Sequence, residues 1–124
     1  MKLKDSYNVD AIALAAATAA IKDQKYFTET TEKVKKARGL LIEQLRDLGF
    51  DVPQSYANFV LARCKNHKAD IIFDELKERR IYVRYFDLPG LEDKLRITVG
   101  TDEQNNKLIS TLKEILSQET ASAD

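Results

Sequence analysis

The chain is poor in the residues that support disulfide and metal chemistry. Its one cysteine, Cys64, excludes an internal disulfide, and its one histidine, His67, leaves no cluster at metal-ligand spacing. Net charge is missing too: 20 Lys+Arg balance 20 Asp+Glu at a pI of about 6.6, so no long-range field marks nucleic acid or an anionic membrane as the target. The longest apolar region, from Ala11 to Ile21, is mostly alanine and falls short of the roughly 20 apolar residues that span a bilayer. Lys2, Lys4 and Asp5 are followed by no leucine-rich stretch of a cleavable signal. Cytoplasm is the expected location, without nucleic acid or membrane as partner. A glycine-rich phosphate loop, a nucleophile elbow and a carboxylate dyad are all lacking, as are repeats and low-complexity segments. By itself the sequence supports binding rather than catalysis, and no catalytic residue or metal ligand is assigned.

What remains suits one α+β domain, expected over residues 1–118 with a fraying tail at 119–124. Asn8 or Asp10 can cap a first helix that runs to about Asp23. Its alanines leave almost no polar side, the pattern of a helix whose surface meets another domain or subunit; alanine's helix propensity is the simpler explanation. A second helix is expected from Lys25 or Thr28 to Leu48, with Val34, Ala37, Leu41, Leu45 and Leu48 forming one apolar stripe and the mixed charges of its other faces solvated. Gly49 supplies the left-handed residue after it, and Phe50 to Val52 forms a brief extended piece. Asn58 to Cys64 is apolar on both parities and reads as a central strand. A helix over Lys68 to Arg79 with Ile72, Phe73 and Leu76 inward, strands at Ile81 to Phe86 and Leu95 to Val99, and a last helix capped by Thr101 or Asp102 complete the chain. The expected architecture is two N-terminal helices and a small, mainly antiparallel sheet of three to four strands with helices packed on one face.

Strand alternation turns this outline into a candidate site. Ile81, Val83 and Tyr85 share one parity and Leu95, Ile97 and Val99 another, and the turn at Leu88-Pro89-Gly90 makes the two strands neighbours. With their apolar faces on the helices, Arg84 and Arg96 project together from the opposite side, near an aromatic residue and a hydroxyl. Two planar guanidiniums on one sheet face suit recognition of a carboxylate or phosphate. The competing explanation is local ion pairing with Asp87, Glu92 or Asp93. Cys64 reads as a small buried hydrophobe, since no base is placed to activate it, and His67 as a solvated turn residue. Asn58, at the start of a strand, could bond a ligand or simply serve the turn. Tyr7 and Asn8 could cap the first helix or bind.

Several stretches resemble one family. Lys4-Asp5-Ser6-Tyr7-Asn8-Val9, Leu48-Gly49-Phe50, Ala57-Asn58-Phe59-Val60-Leu61-Ala62, Val83-Arg84-Tyr85-Phe86 and above all Leu95-Arg96-Ile97-Thr98-Val99-Gly100-Thr101 resemble the C-terminal region of the histidinol-phosphate aminotransferases, from Lys4 to about Leu116. The resemblance implies the small domain of a pyridoxal phosphate enzyme of the aspartate-aminotransferase fold, which moves an amino group between histidinol phosphate and 2-oxoglutarate in histidine biosynthesis. It implies that Arg96 holds the substrate's α-carboxylate, that Arg84 is associated with the substrate phosphate, and that Asn58 lies toward the substrate pocket. In the family the lysine that binds the cofactor and the residues around it lie in a large domain preceding this region. Lys2 and Lys4 lack its Ser-Lys context, so this chain alone is expected to bind no cofactor and to be inactive. The family also has a glycine where Arg80 stands, so the third helix is expected to end without its usual left-handed residue.

The partner implied is therefore the missing large domain, with a small-molecule amino acid or phosphate as ligand. A chain reconstituted with a separate large-domain chain is a further possibility. A reading of another class is a stand-alone anion-binding module, or a homodimer that hides the alanine-rich helix and the arginine face against its own copy.

Overall fold

The structure, a computed structural model, describes residues 9–121. Lys2, Lys4, Tyr7 and Asn8 lie outside them. The elements run α1 (Ala11–Lys22), α2 (Gln24–Asp47), β1 (Phe59–Arg63), α3 (Ala69–Glu78), β2 (Arg84–Tyr85), β3 (Lys94–Thr98) and α4 (Asp102–Ala121). The chain divides into two compact units, one through Lys33 and one from Val34, with the division inside α2.

In the first unit Asp10 caps α1 by accepting from the Ala13 N–H at 2.7 Å. Asp23 then closes one helix and opens the next: its N–H bonds the Ala19 carbonyl, and its carboxylate accepts from the Tyr26 N–H at 3.0 Å. No residue of α1 is buried, and Ile12, Leu14 and Ile21 lie exposed among its alanines.

The second unit is a three-stranded antiparallel sheet in the order β1-β3-β2, with the later part of α2, α3 and α4 on one side. Val60 and Ala62 of β1 and Leu95 and Ile97 of β3 are buried against Leu41, Ile42 and Leu45 of α2, Ile72 and Leu76 of α3, and Leu108, Ile109, Leu112 and Ile115 of α4. Fully burying a side chain of this kind contributes about 1.5–3 kcal/mol, so this one-sided layer is what fixes the sheet's orientation. Cys64 is buried with it, and Phe73 is partly buried against the same cluster.

Four expectations change. The central strand is β3, not β1, because β3 pairs with β1 on one side and β2 on the other; in β1 only Val60 and Ala62 are buried, while Phe59, Leu61 and Arg63 face away from the helices. The strand expected over Ile81 to Phe86 pairs only at Arg84 and Tyr85. Its first residue is drawn away: the Ile81 N–H bonds the Leu76 carbonyl and the Arg80 N–H bonds the Lys77 carbonyl, the hydrogen-bond pattern of a Schellman turn closing α3. Arg80 itself takes the left-handed conformation, φ 58°, that glycine ordinarily supplies, so the turn persists without its glycine. Gly49 makes the same turn after α2 at φ 89°, with Phe50 N–H bonded to Leu45 and Gly49 N–H to Arg46. Finally, not every charge on α2 is solvated. Arg46 donates to the Val52 carbonyl and Arg38 to the Ala57 carbonyl at 2.7 Å, which ties the segment before β1 to the helix.

α4 opens with a capping box. The Gln104 N–H donates to Thr101 Oγ1 at 3.3 Å while Gln104 Oε1 accepts from the Thr101 N–H at 2.9 Å. The helix continues to Ala121.

Candidate functional site

The face of the sheet turned away from the helices is set by register. Phe59 pairs with Thr98, Leu61 with Arg96 and Arg63 with Lys94 across β1 and β3, and Arg84 pairs with Arg96 across β2 and β3. Leu61, Arg96 and Arg84 thus form one transverse row, since residues directly opposite in an antiparallel pair project to the same side. The parity argument placed the two arginines together, and the register does so.

Neither arginine makes an ion pair among the described residues; both contact aromatic rings. The Arg96 guanidinium carbon lies 5.2 Å from the Phe59 ring centre and 5.7 Å from that of Phe86, and the Arg84 carbon lies 5.4 Å from Phe86. These distances are within cation–π range. Of the three carboxylates proposed as local partners, Asp93 is taken by other cations: Arg63 Nε donates to it at 2.6 Å and Lys94 Nζ binds its second oxygen. The bond from Lys94 chiefly, and then that from Arg63, hold its carboxyl below the ordinary value of 3.8 against the opposing effect of desolvation. Asp87 and Glu92 act instead on Tyr85, whose hydroxyl is pushed up first by burial and then by the charges of Asp87, Asp70 and Glu92. Tyr85 lies on the helix side, its ring 5.8 Å from that of Phe73.

Asn58 stands one residue before β1. Its carbonyl accepts from the Val99 N–H at 2.9 Å, which extends the β1–β3 ladder by one pair, and the residue is exposed. The approach to it is braced by Ser55, whose hydroxyl donates to the Phe59 carbonyl at 2.6 Å and accepts from the Ala57 N–H. Asn58 is thus in the same strand end as Phe59, but among the described residues no hydrogen bond joins it to either arginine. Beyond β3, the turn into α4 is clamped: Asn105, buried, accepts from the Gly100 N–H at 3.0 Å and donates back to the Gly100 carbonyl at 3.2 Å.

Cavities lie elsewhere. One of about 30 Å³, room for a single water, is lined by Cys64, His67 and Leu48 among others, so His67 is half-buried rather than fully solvated. A groove of about 420 Å³ lies where Ile81 to Val83 leave the sheet, lined by Arg80, Tyr82, Thr98, Gln104 and Lys107. Neither includes Arg84, Arg96 or Asn58. Among the described residues no group of His, Cys, Asp and Glu could hold a metal ion, and no helix is long and apolar enough to cross a membrane.

A pyridoxal phosphate site needs a reactive amine. The lysine in the three strands, Lys94, donates to the Gly90 carbonyl at 2.7 Å as well as to Asp93. Sequence reasoning missed Phe59, although its signal was present: an apolar residue on the outward parity of β1.

Comparison with known proteins adds the wider frame. Residues 1–112 match the family model for aminotransferase class I and II. The chain is 53% identical over 115 residues to histidinol-phosphate aminotransferase 1 of a Nostoc species, covering 93% of this chain and 33% of that protein. It therefore spans about a third of the length of that curated relative. Among solved structures, the histidinol-phosphate aminotransferase of Clostridium acetobutylicum superposes with a TM-score of 0.83 at 29% identity, over 94% of this chain and 36% of that one. That of Sinorhizobium meliloti, solved in complex with pyridoxal-5'-phosphate, superposes with a TM-score of 0.80 at 28% identity, over 94% and 32%.

Proposed function

The chain belongs to the class I and II aminotransferases, and on that premise we propose that it serves as the small domain of a histidinol-phosphate transaminase. The reaction is amino transfer between L-histidinol phosphate and 2-oxoglutarate. In this reading Arg96 forks the α-carboxylate of the amino-acid substrate, Arg84 takes the phosphate of histidinol phosphate, and Asn58 borders the pocket. The observation that carries it is the Arg84–Arg96 row: two guanidiniums opposite each other with no carboxylate between them, while the neighbouring Asp93 is held by Arg63 and Lys94. A bidentate carboxylate or phosphate fits such a fork better than it fits an ammonium group.

The amine that carries the cofactor comes from the large domain, and so does the opposite wall of the cleft. The described face is an open surface, which suits half of a site closed by a second domain. Pyridoxal phosphate, when bound there, supplies the electron sink for the amino transfer. This chain's own share is to bind and orient the anionic ends of the substrate.

Two experiments test this. Adding pyridoxal phosphate to the chain alone is expected to leave the free cofactor's spectrum, and a new long-wavelength absorbance band would overturn the prediction of inactivity. Replacing the corresponding third of the Nostoc relative with this chain is expected to yield an enzyme that transaminates histidinol phosphate. A folded chimaera loaded with cofactor but inactive on that substrate counts against the assignment.

The alternative, a homodimeric or stand-alone anion-binding module, draws on α1, whose exposed Ile12, Leu14 and Ile21 want a covering surface. Sedimentation separates the two. A strict monomer with no affinity for phosphate or dicarboxylates removes the module.

A further inference from the structure

We propose that Phe86 is a positioning residue of the anion site: its ring holds the guanidiniums of Arg84 and Arg96 side by side while leaving their N–H donors free. The proposal rests on the reading that these two arginines take the substrate's anionic groups.

Two like charges opposite each other across a strand pair repel, and long arginine side chains have many rotamers in which to separate. Something must hold them on one face. A carboxylate could do so, but it would occupy the same N–H donors that the ligand needs. The π face of a ring attracts the cation without accepting from a particular N–H, so it fixes a guanidinium's position and leaves the fork available. Phe86 occupies the position for this: two residues after Arg84, half-buried, with its centre 5.4 Å from one guanidinium carbon and 5.7 Å from the other. Phe59 differs, because at 5.2 Å it contacts Arg96 alone and approaches from the opposite strand. Arg96 is bracketed by two rings from either side of β3, and Arg84 leans on one. Loss of Phe86 should therefore loosen both arginines and loss of Phe59 only Arg96.

The test uses the chain itself, isotope-labelled, by nuclear magnetic resonance. In the unaltered protein, contacts between the Phe86 ring protons and the δ-methylenes of both arginines are expected; their absence overturns the proposal without any variant. Phe86→Leu is expected to remove the ring-current displacement of both arginine side chains, Phe59→Leu that of Arg96 only, and Phe86→Tyr to keep both. Unchanged backbone spectra of α3 and α4 establish that each variant is folded. Titration with inorganic phosphate and with glutarate then reads the consequence. Phe86→Leu is expected to weaken binding about fivefold and Phe86→Tyr to restore it, from the loss of one ring shared by two cations. Equal binding by Phe86→Leu and the unaltered chain overturns the proposal. Arginines held by the ring but unresponsive to either anion would instead sink the reading of the site, leaving Phe86 a structural role.

Discussion

Arg84 and Arg96 are partners across the β2–β3 pairing, and their guanidiniums share the ring of Phe86. Like charges directly opposite in a sheet are destabilising by a few tenths to about 1 kcal/mol. The ring contacts offset part of that cost. On the proposed reading, a bound anion would remove the rest. A local conflict of this kind, left standing in an otherwise consistent fold, is expected at functional positions rather than structural ones.

Arg96→Ala is therefore expected to change the chain's melting temperature by less than about 4 °C, since only two ring contacts of about 0.5–1 kcal/mol are lost against repulsion relieved. In the chimaeric enzyme, Arg96→Lys should lower kcat/KM on 2-oxoglutarate, the substrate that carries an α-carboxylate, by about 10-fold to 150-fold, the worth of a charge-assisted hydrogen bond. Arg84→Lys should act mainly through KM for the phosphorylated substrate. A large stability loss in Arg96→Ala, measured by thermal unfolding, would mean that the side chain is structural.

The left-handed Arg80 gives a second prediction. A residue with a β-carbon at φ 58° costs about 1–2 kcal/mol, against about 0.5–1 kcal/mol of extra backbone entropy that glycine loses on folding. Arg80→Gly keeps both Schellman hydrogen bonds, because they are made by the backbone of Arg80 and Ile81. It is expected to raise stability by about 0.5–1 kcal/mol, a few degrees in Tm. An unchanged or lower Tm would show that the Arg80 side chain contributes contacts that balance its strain.

Much of this was legible because the relevant signals are local. Caps at Asp10 and Thr101, the Gly49 turn and the parity of Arg84 and Arg96 each follow from a few neighbouring residues. Strand order was not, and the reason lies in the site. Phe59 and Leu61 made β1 look buried on both faces, yet Phe59 is 36% exposed and lies against Arg96, while Leu61 stands in the arginine row. Apolar residues recruited to hold cations imitate a second core face. The shortening of β2 was equally hidden: the pattern from Ile81 to Tyr85 is that of a strand, but the Schellman turn claims the Ile81 N–H first. For Arg38 and Arg46, composition gives a charged helix face, and only the folded connection supplies the Ala57 and Val52 carbonyls that they bind.

Asp93 provides the pH dependence. Its folded carboxyl is held below its ordinary value, first by the hydrogen bond from Lys94 and then by Arg63. A depressed acid stabilises the fold above its unfolded pKa, near 3.9, and that contribution disappears as pH falls through the lower folded value. The window is therefore below about pH 4. Asp93→Asn should lose stability at neutral pH and show a flatter acid limb, so that its Tm converges on that of the unaltered chain toward pH 2–3. Parallel curves over the whole range would rule out this carboxylate as a contributor to acid unfolding.

Asn105 fixes the turn that follows the arginine strand, and its removal is expected to be the most damaging of these changes. Its carboxamide is buried at 6% exposure and spent in both directions on Gly100, accepting from the N–H and donating to the carbonyl. Alanine would leave those two backbone groups without partners in a half-buried turn, at about 1–3 kcal/mol for an unsatisfied group. A Tm lower by about 5–10 °C follows. Gly100→Ala attacks the same turn from the other side, because a β-carbon there would stand 2.8 Å from Gln104 Oε1 and 3.0 Å from Gln104 Cβ. That pushes Gln104 out of the capping box with Thr101, so the two substitutions should each destabilise and their double variant should lose less than the sum. Strict additivity in a thermal double-mutant cycle would mean that the Asn105 clamp and the Gln104 cap act independently, and that the end of β3 is held by two devices rather than one.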